Sequence, residues 1–425
     1  MKITENSRSD RRFSRCLAAF VALLLFPFIA GNVAAGESPA SSAQFLLFSD
    51  LHLEVAEARS GFPKYGEDST ALLIQSALAD ARRQCPHPLF ILITGDFLDH
   101  QYPRTAEMAW AAEEKIVGWF AREFPGTTVF PTLGNNDSLQ RHYEGQSAEF
   151  LRGFAVRWQP LITNATDAAS FLVSFPTNGC YRAGLPGLSG RQLLALNISY
   201  KPETNANGVV PQPGTEPVQW AAAEVAAAGE RSDFWLAYHV PPGLDFFKPN
   251  KKGGYRGLWQ PDFQKELLRL TVNPAIKATF AGHTHMDEFR VIYQAAQPAG
   301  FIHIIPTISP LHTNDPAYQI CSVTSAGEIT DCETHRLANL ESLTNSTAAG
   351  EAQWVTEYSF RTDFGQPRYD AAGLHAAREM MRTNGPVQER FIRHFASSRT
   401  NESSVTAANF PKYWPLLGLT NAPSR

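Results

Sequence analysis

The sequence predicts an α/β fold. Two observations carry that reading: short apolar runs that each end in a polar cluster, and stretches of helical period between the early runs. A third observation, a change of texture near residue 336, adds a helical region at the C-terminal end. The apolar runs are QFLLF (44–48), LFILIT (89–94), TTVFPTL (127–133), LLALNIS (193–199), DFWLAY (233–238), IKATFA (276–281) and FIHIIP (301–306). They have strand length and are rich in β-branched and aromatic residues, so each is read as a strand. STALLIQSALADARRQ (69–84) and TAEMAWAAEEKIVGWFAREF (105–124) carry apolar residues at helical spacing and are read as helices. Strands alternating with helices build an α/β architecture, in which ligands collect beyond the carboxyl ends of the strands. From about residue 336 the chain turns polar and small, and YDAAGLHAAREMM and VQERFIRHFASS read as helices packed on the main domain. The expected division is therefore 1–35, 36–335 and 336–425.

The first 35 residues differ from the rest. RSDRRFSR is basic, Cys16 to Ala30 is almost entirely apolar, and Val33-Ala34-Ala35 offers small residues where a signal peptidase cuts. That order is a secretory signal peptide, and the apolar run is short for a membrane span of about 20 residues. The protein is expected to be secreted or periplasmic, with an uncleaved N-terminal anchor as the alternative. The chain has 425 residues, 44% hydrophobic and 18% charged, which is a globular composition. A net charge of −4 provides no basic field for nucleic acid, and the dense basic cluster is confined to Lys248, Lys251, Lys252 and Arg256. Beyond the signal there are four cysteines, Cys85, Cys180, Cys321 and Cys332. Cys321 and Cys332 flank VTSAGEIT, a hairpin turning at Ala326-Gly327 that places them opposite each other. In an exported chain an even count suggests two disulfides, which leaves Cys85 with Cys180.

The polar clusters at the strand ends carry the chemistry. They contain Asp50, His52, Asp96, Asn135, His239, His283 and His285. Carboxylate oxygens and imidazole nitrogens without thiolates suit a catalytic zinc, iron or manganese rather than a structural zinc. A lone histidine after a strand is usually structural. Five such clusters, all at strand ends, are not explained that way.

In order, these motifs are Asp50-Leu-His52, GDxxD (95–99), GNxD (134–137), His239 and GHTH (282–285). Together they resemble the calcineurin-like metallophosphoesterases. GHTHMDEF, HVPPG and ISPLHTNDPAY are similar to the acid sphingomyelinase-like phosphodiesterases and the related endopolyphosphatases. The resemblance implies a sandwich of two mixed β-sheets flanked by helices, and a site holding two divalent metal ions. Asp50, His52 and His285 would hold the first metal, and Asn135, His239 and His283 the second. Asp96 would bridge both, with a water acidified between them attacking phosphorus. Asp137 would support a metal-ligating histidine. Asn136 departs from the family, most members of which have a histidine there. An amide can donate a hydrogen bond but cannot transfer a proton. His100 matches a second catalytic histidine of this branch and is expected to be the acid or a phosphate contact, with Asn136 a donor to phosphate oxygen.

The expected substrate is a soluble phosphate ester or anhydride of nucleotide or polyphosphate type. True acid sphingomyelinases carry a cysteine-rich, lipid-handling module before the catalytic domain, and only about eight residues separate Ala35 from the first strand. Sphingomyelin is the alternative substrate, with Trp259 as an aromatic cradle for choline. A non-catalytic metal- and phosphate-binding relative is the alternative of another class. No stable membrane association is expected after signal cleavage, and the oligomeric state is left open.

Overall fold

The computed structural model describes residues 43–421 apart from 57–58, 103, 140–144, 199–214, 230–231, 247–254 and 345. The signal segment and Lys248, Lys251 and Lys252 lie outside the described residues. In chain order the strands are β1 (Ala43–Phe48), β2 (Phe90–Ile93), β3 (Thr128–Pro131), β4 (Tyr181–Gly184), β5 (Arg191–Ala195), β6 (Asp233–Ala237), β7 (Leu244–Asp245) and β8 (Arg256–Gly257). They continue with β9 (Ile276–Ala281), β10 (Glu288–Gln294), β11 (Gln297–Ile304), β12 (Ala317–Val323), β13 (Ile329–Leu337), β14 (Trp354–Ser359) and β15 (Gly418–Thr420). The helices are α1 (Ala71–Gln84), α2 (Ala106–Glu123), α3 (Ala148–Trp158), α4 (Ala165–Asn178), α5 (Glu216–Ala228) and α6 (Pro261–Thr271), then α7 (Phe360–Phe364), α8 (Ala371–Thr383), α9 (Gly385–Phe395) and α10 (Phe410–Tyr413).

Both long helices foreseen in the N-terminal half form, each begun by a threonine. The Thr70 hydroxyl accepts from Leu73 N and the Thr105 hydroxyl from Met108 N, which satisfies donors that the first turn leaves free. The seven apolar runs become β1, β2, β3, β5, β6, β9 and β11.

One sheet has the order β14-β13-β12-β1-β2-β3 and the other β15-β10-β11-β9-β6-β5-β4. Both are mixed: β1, β2 and β3 are parallel in the first, and β5, β6, β9 and β11 are parallel in the second, with antiparallel partners outside them. The sheets are packed face to face through aromatic side chains. Phe45 of β1 lies 5.2 Å from Trp235 of β6 and 6.1 Å from Phe280 of β9. Phe90 of β2 lies 5.9 Å from Trp235. Such large buried rings supply much of the apolar surface that holds two sheets together.

The C-terminal helices are present, and the region also contributes strands. β14 pairs with β13 at one edge of the first sheet, and β15 pairs with β10 at one edge of the second. Cys321 and Cys332 are register partners on β12 and β13 and are disulfide-bonded. Cys85 and Cys180 are not bonded to each other: both are free and buried. Cys85 caps α1 within the main core, whereas Cys180 packs in a separate cluster between the second sheet and helices α5 and α6. Burial pushes the two thiols up, to about 11 and about 12.

Candidate metal centre

The site is built from the loops that follow the parallel strands β1, β2, β3, β6 and β9. After β1, β2 and β9 the turns need left-handed backbone. Asp50, His52, Asp96, His283 and His285 have φ of 50°, 43°, 56°, 72° and 64°. Such angles are uncommon outside glycine, and a cluster of them marks a place where the surrounding fold holds the chain against its preference. Two glycines permit close approach. A Cβ at Gly134 would collide with the Asp96 carboxylate, and one at Gly282 with the Ser49 hydroxyl.

The side chains converge. Asp50 Oδ2 accepts from the Ser49 hydroxyl and from His283 N. Its Oδ1 is buried, accepts no hydrogen bond, and faces the Nε2 atoms of His285, His52 and His239 at 3.3, 3.7 and 3.9 Å. Asp96 Oδ2 lies 3.2 Å from His239 Nε2 and 3.6 Å from His52 Nε2. His52 Nε2 and His285 Nε2 are 3.1 Å apart, and His239 Nε2 is 3.0 Å from Asn135 Oδ1. His52 gives its Nδ1 to Leu98 O and His239 gives its Nδ1 to Thr94 O, which leaves both Nε2 atoms aimed inward. An orphaned carboxylate oxygen ringed by imidazole nitrogens is costly unless a cation sits among them. The donor set therefore fits divalent metal. Asp50, His52 and His285 form one group of suitably close ligand atoms, and Asp50, Asp96 and His239 another. His283 stands at the side, half-buried, its ring 5.1 Å from that of His239.

The electrostatics agree with this geometry. Burial opposes charge on Asp50 and Asp96, but the facing histidines bring both below the usual carboxylate range. Burial also disfavours charge on His52 and His239, yet the carboxylates push each up to about 9. A divalent cation must therefore compete with protons for these two nitrogens.

The remaining expected residues are placed nearby. Asn136 is fully buried, with its Nδ2 donating to Asp96 Oδ2 at 2.8 Å and its backbone N to Asp96 Oδ1 at 2.7 Å. His100 is partly exposed, and its Nε2 lies 3.3 Å from Asn136 Nδ2. Asp137 does not support a ligating histidine. Its carboxylate accepts from the backbone N–H groups of Asp96, Phe97, Leu98 and Gly134, and so ties the loop after β2 to the loop after β3. The backbone amides of the two tight turns would otherwise be unpaired, and they claim both of its oxygens. Trp259 does not line the site: it is buried, donates to Val240 O and packs on Phe263.

Two residues were missed. Asp68 is buried and holds His100 twice, through Nδ1 at 2.9 Å and through the backbone N at 3.1 Å. In sequence it is one acid before a helix, indistinguishable from a capping residue. His312 stacks on His285 with ring centroids 4.2 Å apart, and no spacing rule points to it from within PLHTND.

Comparison with known proteins agrees with the fold. The family described as calcineurin-like phosphoesterase matches residues 43–287, more than half the chain, and the protein belongs to that family. Within it, the relatives place the chain in the acid sphingomyelinase-like phosphodiesterase branch. The human acid sphingomyelinase-like phosphodiesterase 3b is 26% identical over 76% of this chain and 72% of its own length. The Dictyostelium discoideum sphingomyelinase phosphodiesterase D is 26% identical over 70% of this chain and 66% of its own. The human sphingomyelin phosphodiesterase is 25% identical over 70% of this chain and 47% of its own. Among solved structures, a 5'-nucleotidase precursor from Thermus thermophilus is 12% identical with a TM-score of 0.35, over 69% of this chain and 54% of that one, too distant to argue from. The protein is thus a metallophosphoesterase with phosphodiesterase relatives, and its family implies divalent metal ions.

Proposed function

We propose that the protein is a secreted, binuclear-metal phosphodiesterase acting on a soluble phosphate ester or anhydride. The observation that carries this reading is the buried, unpaired Asp50 Oδ1 facing three imidazole nitrogens. Asp50, His52 and His285 would hold one cation and Asn135, His239 and His283 the other, with Asp96 available to both. Zinc is the first choice for this set of imidazole, carboxylate and amide donors, with iron or manganese next. Two such cations would acidify the attacking water and neutralise charge growing on the phosphoryl oxygens.

The chain's own residues do the rest. Asp68 fixes the His100 ring by accepting from Nδ1, so Nε2 faces the site. His100 gives the leaving oxygen its proton as the ester bond breaks, the task that Asn136 cannot perform. Asn136 holds Asp96 in place and offers an N–H to the substrate. Secretion rests on the signal-like N-terminus; among the described residues no helix is long and apolar enough to cross a membrane. A soluble substrate is favoured over sphingomyelin because Trp259, the aromatic offered for choline, is buried in the core.

The test is steady-state hydrolysis by purified protein with added zinc or manganese. A chromogenic diester, a monoester, a nucleoside triphosphate, polyphosphate and sphingomyelin are run in parallel, with Asp96→Asn as the blank. Turnover of a soluble diester or anhydride that vanishes in the blank supports the reading. Preference for sphingomyelin would reverse the substrate assignment, and metal bound without turnover of anything would make the protein a binder.

A further inference from the structure

We propose that His312 is a substrate-binding residue whose imidazole N–H contacts a phosphoryl oxygen of the ester held at the metal centre. The proposal rests on the site reading above and adds a residue to it. Three observations support it. First, the ring is part of the site: it stacks on His285 with ring centroids 4.2 Å apart and planes 26° apart. Second, the loop that carries it is anchored to the metal centre itself. Thr307 Oγ1 and Ser309 N both donate to Asp50 O, at 2.8 and 3.2 Å. Pro310 O accepts from Gly66 N, Asp315 is held by Tyr65 and Arg336, and Thr313 is fixed at a φ of 62°. A side chain on so constrained a loop is presented in one place, as recognition of a small charged group requires. Third, a phosphate needs donors, and two arginines described on the adjoining loops are committed elsewhere. Arg104 donates to Asn136 O and Asp99, and Arg59 to Glu54 and Glu67. Among the described residues, the half-buried imidazoles near the site are those of His100, His283 and His312.

The alternative is that His312 merely supports His285 by stacking. His312→Phe separates the two, because it keeps an aromatic ring against His285 and removes the N–H; His312→Gln keeps a donor and removes the ring. Metal content, thermal midpoint, inorganic phosphate affinity by calorimetry and diester kinetics are measured on both and on wild type. The expected result for His312→Phe is full metal content and an unchanged midpoint. Phosphate binding should weaken about tenfold and kcat/KM fall about tenfold or more, with partial rescue in His312→Gln. A His312→Phe variant within twofold of wild type on both phosphate affinity and kcat/KM overturns the proposal, as does a loss that follows metal content alone. The site reading fails separately, if Asp96→Asn keeps its metal and its turnover. Calorimetry reports on His312 even if no ester is turned over.

Discussion

Among the described residues, two of the places where buried histidines meet carboxylates are built in opposite ways. At the ends of the parallel strands, His52, His239 and His285 point their nitrogens at Asp50 and Asp96, and Asp50 Oδ1 is left without a hydrogen bond. In the C-terminal region, His394 of α9 sits between Glu357 of β14 at 3.0 Å and Asp363 of α7 at 2.7 Å, with both ring nitrogens used. Its ring lies on Tyr358 at 3.9 Å, and Glu357 is also held by Arg336 and Arg393. The first cluster stands on left-handed backbone and is incomplete; the second is complete. The residue types are the same, so composition does not separate function from stability. Satisfaction does: a closed network binds the fold together, and an open one waits for a ligand.

The sharpest break of this comparison is to remove one carboxylate from each. Asp96→Asn should lower kcat/KM for the preferred ester by about 10³-fold or more, over 4 kcal/mol, since charge stabilisation at the phosphoryl group is the main catalytic term. In chelator-treated protein the urea midpoint should fall as well, because the carboxylate is held ionised by the histidines that face it. Activity that survives the change while only stability is lost would mean that the strand-end cluster is structural after all. The counterpart is His394→Ala, which strands Glu357 and Asp363 beside each other. Breaking a buried pair costs about 3–5 kcal/mol, and the remaining arginines hold this case near the lower figure. Urea unfolding measures it, and metal content per folded chain should be unchanged.

How much of this could be read in the sequence follows from range. The seven apolar runs and the two long helices are local signals, and all became the elements foreseen. The candidate ligands could be gathered from the sequence because the fold delivers the ends of β1, β2, β3, β6 and β9 to one place, so five scattered short motifs converge. β14 and β15 were not foreseen. β15 has three residues, too few to show a period, and both exist only by pairing with distant edges at β13 and β10. Cys85 and Cys180 were paired by elimination, but the fold assigns them to different hydrophobic clusters. Asp137 and Asp68 were missed or misread for one reason: a carboxylate's role depends on what faces it, and both face groups more than 30 residues away or on another loop.

pH separates the clusters in another way. His52 and His239 stand near 9, so between pH 6 and pH 8 a cation displaces a proton from each. Affinity should then fall by up to about 100-fold for each pH unit of acidification, tenfold per proton. Chelator competition at pH 6, 7 and 8 measures this, and a flat profile would show that these imidazoles are neutral without metal. The C-terminal network responds with different signs. Although burial works against it, His394 is raised by Asp363 and Glu357; its contribution is full below 6.5 and is lost as pH rises through its folded value. Glu357 is lowered to about 2 against burial by His394 and its other partners, so its contribution is present above 4.5 and is lost as pH falls toward 2. The network is strongest between 4.5 and 6.5, where metal is held least tightly. In chelator-treated protein the urea midpoint should decline from pH 6 to pH 9, and decline less in His394→Gln.

The smallest effect is expected at Asn136. Asn136→Ala removes the Nδ2 that donates to Asp96 Oδ2, but the backbone N of residue 136 still donates to Oδ1 at 2.7 Å. Asp96 therefore stays in place with one bond fewer, and Asn136 Oδ1, itself buried and unpaired, is removed with the side chain. The lost bond and the relieved oxygen offset in part, so kcat/KM should fall only about tenfold, or 1.4 kcal/mol, with metal content intact. His100→Ala should lose more than this if the proton comes from His100. It should lose most on esters with poor leaving groups, because protonation matters most where the leaving oxygen is basic. Equal losses from the two substitutions across a leaving-group series would return the proton to some other group, and would place His100 and Asn136 together as binding residues on one wall of the site.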